Sequence, residues 1–288
     1  MYKMKLMNSD VTPLVSVCVI TYNSSNYILD TLESIKAQTY KKIELIISDD
    51  CSNDHTVDIC QKWIQQNKDF FVRVEFIFSK KNTGISANCN RAYKRARGEW
   101  IKGIAGDDLL ADNCIEKFVS YAKDKECLYF CKLDIFGDSI GVKKQNVYWE
   151  NAYSVFSKKI DEQFKYFIEE GNFIPTPAMF VAKETMRNLN YFDERIKLCE
   201  DLPFFYKCLS ARIKLVLLNE TLVKYRVSSS SVQLSPLSRY SSNLYYVLYV
   251  RKSRWRIMYA RMYNQLSVNS YRNRILDFIH SYIKKVIS

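Results

Sequence analysis

Residues 14–50 read LVSVCVITYNSSNYILDTLESIKAQTYKKIELIISDD, and this stretch decides the fold. Leu14 to Thr21 is a short apolar, β-branched run of strand length that ends at the polar cluster Asn23-Ser24-Ser25-Asn26. A helical spacing follows, with Ile28, Leu32 and Ile35 on one face. Ile43 to Ser48 is a second strand, stopped by Asp49-Asp50-Cys51-Ser52-Asn53-Asp54. The alternation continues downstream. Val57, Cys60 and Ile64 are expected to face inward from a second helix, and Val72 to Phe78 reads as a third strand. Asn82-Thr83-Gly84 is a turn, Ile85, Cys89, Ala92 and Ala96 line a third helix, and Trp100 to Ile104 is a strand reaching Gly106-Asp107-Asp108. Strand, polar loop and helix in repetition mean right-handed crossovers and an α/β fold with a mostly parallel sheet.

In such sheets ligands bind beyond the carboxyl ends of the strands. Three polar clusters lie there, Thr21-Tyr22-Asn23, Asp49-Asp50 and Asp107-Asp108, so one open edge collects them all. The second half is less regular. Ala178 to Ala182, Lys214 to Leu218 and Leu222 to Val227 read as strands, and Leu202 to Ala211 as a helix opened by Glu200 and Asp201. From about Pro236 the chain turns helical, aromatic and basic. The expected organisation is a domain over 1–235, with a first half at about 14–110 and a second at about 111–235, followed by a helical extension over 236–288.

The 288 residues are 48% hydrophobic, enough for a large buried core. Of the net charge of +12, +8 falls between Tyr240 and Ser288, so the excess belongs to the tail. No apolar run approaches the ~20 residues that span a bilayer, and Met1 to Asp10 lacks the apolar stretch of a secretory signal. Nine cysteines without paired spacing point to reduced thiols and a cytoplasmic setting. His55 and His280 are far apart and no CxxC occurs, which argues against a zinc site.

Each acidic pair has a structural and a chemical reading. Asp107-Asp108 could cap a helix starting at Leu109, or hold a hard divalent cation that shares ligands with substrate phosphates. A second carboxylate pair on the same edge favours the cation, because clustered carboxylates repel unless a cation joins them. Asp49-Asp50 could be a turn opening a helix, or an acceptor for a nucleobase N–H or a ribose hydroxyl. Tyr22 could offer its ring to a base. Glu200-Asp201, with Pro203 in the first turn, could be a helix start or a general base. Neither a GxxxxGKS/T loop nor GxGxxG is present, and seven glycines leave little for a phosphate cradle, so a diphosphate would be neutralised by a metal.

Taken in order and spacing, VSVCVITYNSSNYILDTLESIKAQTY, IELIISDDCSNDHT, KNTGISANCNRAYKRARGEWIKGIAGDDLL and YFDERIKLCEDLPFF resemble family 2 of the inverting glycosyltransferases, which have the GT-A fold. The resemblance is close over about 14–110 and looser over about 172–232. It implies a single Rossmann-like sheet flanked by helices. It also implies that Tyr22 stacks on the donor base, Asp50 hydrogen-bonds that base, often uracil, and Asp108 binds Mg²⁺ or Mn²⁺ with the diphosphate. Asp107 would contact the ribose or the donor sugar, and Asp201 would be the base, with Glu200 beside it. Thr21, Asn23 and Asn82 complete the expected donor-nucleotide residues. The chain departs from the pattern at Ala105, often aspartate in the family, at Cys89, often arginine near the donor phosphates, and at Ser228, where a histidine often follows Tyr225-Arg226-Val227.

The implied reaction moves a sugar from a nucleotide diphosphate sugar, expected to be a UDP-sugar, to a hydroxyl of a glycan or polyprenyl-diphosphate-linked acceptor, with inversion. Capsule, O-antigen or exopolysaccharide synthesis is the implied setting. The tail LYYVLYVRKSRWRIMYARMY reads either as helices packing on the domain or as a peripheral attachment to an anionic membrane through 240–288. Two rivals are a nucleotidyltransferase of sugar-nucleotide metabolism and a basic nucleic-acid-binding protein. The first lacks its Gly- and Arg-rich phosphate loop. The acidic edge opposes the second, so no nucleic-acid partner is expected.

Overall fold

The computed structural model describes residues 12–137, 139–196 and 198–227. The expected extension over 236–288, and with it the membrane reading, lies outside the described residues. One sheet of eight strands organises the rest, in the order β3-β2-β1-β4-β7-β6-β8-β5.

Its parallel part is the one legible in the opening stretch. β1 (Val15–Thr21), β2 (Ile43–Asp49), β3 (Arg73–Phe78) and β4 (Trp100–Ala105) pair in parallel, with β1 between β2 and β4. β2 is buried along its whole length and β1 nearly so, because helices cover both faces. α1 (Ile28–Lys36) buries Ile28, Leu32 and Ile35 as expected, with Thr31 between them. The face of α2 (Thr56–Asn67) is rotated from the expected one. Thr56, Cys60, Trp63 and Asn67 are buried, while Val57 and Ile64 are only half-buried. Trp63 settles this by burying its large ring and donating its indole N–H to Glu33 at 2.6 Å. α3 (Ile85–Arg95) buries Cys89 and Ala92, but also Asn88, Asn90 and Tyr93.

The second half extends the sheet with mixed polarity. β7 (Phe180–Ala182) runs antiparallel to both β4 and β6 (Cys127–Gly137). β6 is parallel to β8 (Lys214–Val227), and β8 is antiparallel to β5 (Leu109–Leu110). The two strands expected at Lys214 to Leu218 and Leu222 to Val227 are one strand, whose register against β6 shifts between them. β5, β6, α5 (Ser139–Tyr153) and α6 (Ile160–Glu169) were not anticipated, nor were two of the three helices that remain. The remaining helices are α4 (Cys114–Tyr121), α7 (Lys183–Asn188) and α8 (Asp201–Ser210). Phe180 of β7 stacks between Trp100 at 5.1 Å and Phe118 at 4.8 Å, joining the two halves in one core. No disulfide joins any of the nine cysteines, all of them described.

Polarity at the two ends of the parallel strands differs. At the amino ends, Glu44 is completely buried and accepts from Ser16 Oγ, from the Arg97 and Gly98 amides and from Arg73. A Cβ at Gly98 would lie 2.6 Å from the Ser16 nitrogen, so only glycine admits this close approach. The carboxyl ends carry the clusters singled out above.

Candidate active site

The loop after β1 and the loop after β2 are laced together. Asn23 N–H donates to Ser52 Oγ at 2.8 Å, and Asn53 N–H returns to Asn23 Oδ1 at 3.0 Å. Ser24 N–H donates to Thr56 Oγ1 and Ser25 N–H to Asp54. Burial works to raise the Asp54 carboxyl, but hydrogen bonds from Thr56 and Ser25 outweigh it and bring it down to about 2. Asn23 and Cys51 take positive φ values of 52° and 69°, which the lacing compensates. Tyr22 stands at the tip of this frame, 48% exposed, its ring available at the open edge.

Asp50 is placed inside the wall of the site. It is 3% exposed and accepts from Thr83 N at 2.9 Å, Thr83 Oγ1 at 2.6 Å, Gly84 N at 2.7 Å and Arg91 Nη2 at 2.7 Å. A carboxylate offers about four lone-pair positions, and protein donors use them all. Asp50 therefore fixes the Asn82-Thr83-Gly84 turn, in which Asn82 is exposed and Gly84 adopts φ 90°. Asp49 is occupied by Ser52. The Thr21 carbonyl accepts from Asp50 N and Asn88 Nδ2, while its buried hydroxyl has no partner and lies against Gly106. Sequence reasoning missed the two residues that tie this wall together. Asn88 links Ser48, Thr21 and Arg91, and Arg91, two positions beyond Cys89, reaches Asp50.

Asp107 and Asp108 form a turn after β4 that leads into β5, with α4 beginning only at Cys114, so the helix-cap reading from Leu109 fails. Asp108 is completely buried. Its Oδ1 accepts from the Arg226 amide at 2.9 Å, and its Oδ2 has no partner. Burial first, then the charge of Asp107, pushes the Asp108 carboxyl well above the usual range; burial also raises Asp107. A buried oxygen without a donor is costly unless a ligand completes it. Two adjacent carboxyls short of donors have the chemistry that suits a hard divalent cation. Among the described residues no group of three His, Cys, Asp or Glu could hold a metal by itself. Donor phosphate and water oxygens would have to complete the shell.

Two cations attend this turn, and neither was singled out from the sequence. Lys102 of β4 is completely buried, donates to the carbonyls of Gly103 and Pro177 at 2.6 Å each, and interacts electrostatically with Asp108. Arg226 lies at the end of β8. The antiparallel register that places Leu109 opposite Lys224 carries Arg226 to Asp107, whose carbonyl accepts from Arg226 Nε at 3.0 Å. The Tyr225-Arg226 pair was the available signal.

Glu200 and Asp201 stand at the start of α8, where Glu200, the N-cap residue, makes no side-chain cap. Asp201 accepts from Leu202 N at 2.8 Å, Thr176 Oγ1 at 3.3 Å and Cys199 Sγ at 3.5 Å. Burial, then the neighbouring Asp201, pushes Glu200 up to about 8, and burial raises Asp201 as well. Two carboxyls raised together share protons as a pair. Glu200 also acts electrostatically on Cys89 and Tyr93, which places it against α3.

Residues 16–189 match the model of the family described as "Glycosyl transferase family 2". An uncharacterized glycosyltransferase of Methanocaldococcus jannaschii is 28% identical over 246 residues, covering 85% of this chain and 80% of that protein. Among solved structures, Staphylococcus aureus TarS residues 1–349 in complex with UDP superposes with TM-score 0.58 at 20% identity, over 91% of this chain and 69% of the other. The mannosyltransferase PcManGT of Pyrobaculum calidifontis, in complex with GDP-Man and Mn²⁺, superposes with TM-score 0.64 at 17% identity, over 90% and 71%. These likenesses show the GT-A fold.

Proposed function

The chain belongs to glycosyl transferase family 2, and from that premise we propose that it transfers a sugar from a uridine diphosphate sugar to a glycan or lipid-linked hydroxyl with inversion. The observation that carries the reading is the partnerless, buried Oδ2 of Asp108 beside Asp107, at the edge where Tyr22 is exposed. A carboxylate held there short of donors supports a divalent cation, Mn²⁺ or Mg²⁺, which when bound neutralises charge on the departing diphosphate. Asp108 holds that ion, Asp107 contacts the ribose or donor sugar, and Tyr22 stacks on the base. Asn23 and Asn82 flank the nucleotide, with Thr21 behind them. Asp50 acts chiefly by holding the turn that carries Asn82. It takes a base N–H only by giving up one of its present donors.

Asp201 accepts the proton of the acceptor hydroxyl, whose oxygen attacks the anomeric carbon opposite the nucleotide. Glu200 stands beside Asp201, and a proton shared by the two carboxyls keeps the pair from carrying two full charges. The uracil preference draws support from the UDP complex of TarS, and the cation from the Mn²⁺ complex of PcManGT. Calorimetry with UDP, GDP and CDP, each with Mn²⁺, tests the donor. Binding of GDP or CDP with none of UDP at millimolar concentration overturns the base assignment.

The acceptor reading extends to the membrane. Among the described residues no helix is long and apolar enough to cross one. The +8 charge between Tyr240 and Ser288 suits peripheral attachment, at about 1 kcal/mol per basic residue near an anionic surface. Salt-sensitive cosedimentation with anionic liposomes and not with neutral ones is expected. Equal partition onto both would leave the segment as ordinary packing.

A further inference from the structure

The donor's diphosphate brings at least two negative charges to a turn that already carries two carboxyl groups. One divalent cation cancels one of these sets and leaves the other. The family pattern often supplies an arginine at the position of Cys89, and a buried thiol cannot replace it. Arg91 has the charge but is committed to Asp50, Thr83 and Asn88. Lys102 is sealed inside the sheet with two carbonyls. Arg226 differs from both.

Four contacts hold Arg226. Its amide donates to Asp108 Oδ1 at 2.9 Å, and its Nε donates to the Asp107 carbonyl at 3.0 Å. Its guanidinium lies 4.2 Å from the centre of the Tyr27 ring and 4.4 Å from that of Phe136. These contacts use the backbone, Nε and the flat faces of the guanidinium, whereas its Nη groups have no acceptor or ion-pair partner among the described residues. The side chain is half-buried, so its N–H groups are neither fully hydrated nor satisfied by protein. A planar fork held by its faces with its ends open is the form in which arginine binds phosphate bidentately.

We propose that Arg226 is the donor-diphosphate residue of this enzyme, its open Nη groups taking the phosphate oxygens that the arginine absent at position 89 would otherwise hold. The inference rests on the glycosyltransferase reading of the site. It assigns one residue the task of joining the carboxylate turn to the nucleotide, since the amide of Arg226 orients Asp108 while its guanidinium meets the phosphates. Tyr27 and Phe136 hold that guanidinium in place at low entropic cost.

The test is calorimetry of UDP, UMP and uridine, without metal and again with Mn²⁺, on wild type, Arg226→Gln and Arg226→Lys, with melting curves run alongside. Loss of the charged fork should weaken UDP about 10- to 100-fold in Arg226→Gln, metal-free protein included, while uridine binding stays within about twofold. Arg226→Lys should fall between, because it keeps the charge and loses the fork and the stack. If Arg226→Gln does not fold, the lysine variant carries the same comparison. UDP binding unchanged in the variants overturns the proposal, as does an equal loss for UDP and uridine, which would make Arg226 a support for the site's shape. A wild-type protein that prefers GDP moves the same comparison to GDP against guanosine. A wild-type protein that binds no nucleoside diphosphate overturns the glycosyltransferase reading and this inference together.

Discussion

Glu44 and Asp108 sit at opposite ends of the parallel strands, and both are 0% exposed. Burial alone raises a carboxyl, and it is the largest influence on both. Yet Glu44 ends up below its ordinary value, because Ser16, Arg97, Gly98 and Arg73 all donate to it. Asp108 ends up far above, with one amide donor and a second acid beside it. The difference is in the donors. The amino end of the sheet is closed and self-sufficient. The carboxyl end leaves charge unbalanced where a ligand has to arrive, a pattern typical of functional sites.

The sharpest way to break this contrast is at Asp108. Asp108→Asn should abolish metal-dependent transfer while the metal-free melting temperature stays level or rises, because the change removes a buried carboxylate that lacks donors. Wild-type turnover in that variant would end the metal role. Asp201→Asn comes next, with kcat lowered by at least ~10² and donor KM near wild type, since general-base assistance is worth ~10²–10⁴. Glu200→Gln should cost less. If Glu200→Gln were the dead variant and Asp201→Asn active, the two roles would exchange.

Glu44→Ala tests the other end. It strands the donors that converge on Glu44, at a cost of about 2–4 kcal/mol, or a melting temperature lower by ~5–10 °C. The fraction that stays folded should keep its nucleotide affinity. A loss of affinity without a loss of stability would show that the two ends are not separable.

The smallest effect is in the pH dependence of the metal-free protein. Glu200 rises from 4.5 to about 8 on folding, so the folded state binds more protons than the unfolded state between those values. Its stabilising contribution is complete below pH 4.5 and fades as pH rises towards 8. Asp107, Asp108 and Asp201 are raised too and act with the same sign. Asp54, lowered to about 2, acts oppositely and loses its contribution only under strong acid. Melting curves from pH 5 to 8 in the presence of chelator should decline, and less steeply in Glu200→Gln. A flat profile in both proteins would mean that the carboxyl end is better satisfied than its hydrogen bonds indicate.

Local pattern was enough for β1 to β4 and for α1, because period and turn residues act over a few positions. For α3 it found the helix but not its whole buried face, since Ile85 is only half-buried while Asn88, Asn90 and Tyr93 are buried. It failed for α2, where the size of Trp63 outweighed the apolar spacing of Val57 and Ile64. It failed again for β6, whose run CLYFC is apolar on both faces and shows no alternation to read. Placing Tyr22, Asp107 and Asp108 among the candidates needed only strand ends and residue types, whereas Asp201 came from an acidic pair at a helix start and took its role from the family resemblance.

What those candidates do with their oxygens was decided by partners that local pattern could not reach. Asp50 is saturated through a turn and a helix 33 to 41 positions away. Asp108 owes its one donor to Arg226, 118 positions downstream. The physical reason is that a strand or helix records its own backbone geometry in neighbouring side chains, whereas the donors a carboxylate receives depend on which distant segments pack against it. The sequence by itself determined the parallel sheet and the edge where the acids gather. Only the tertiary structure decided which acids are satisfied and which are left for a ligand.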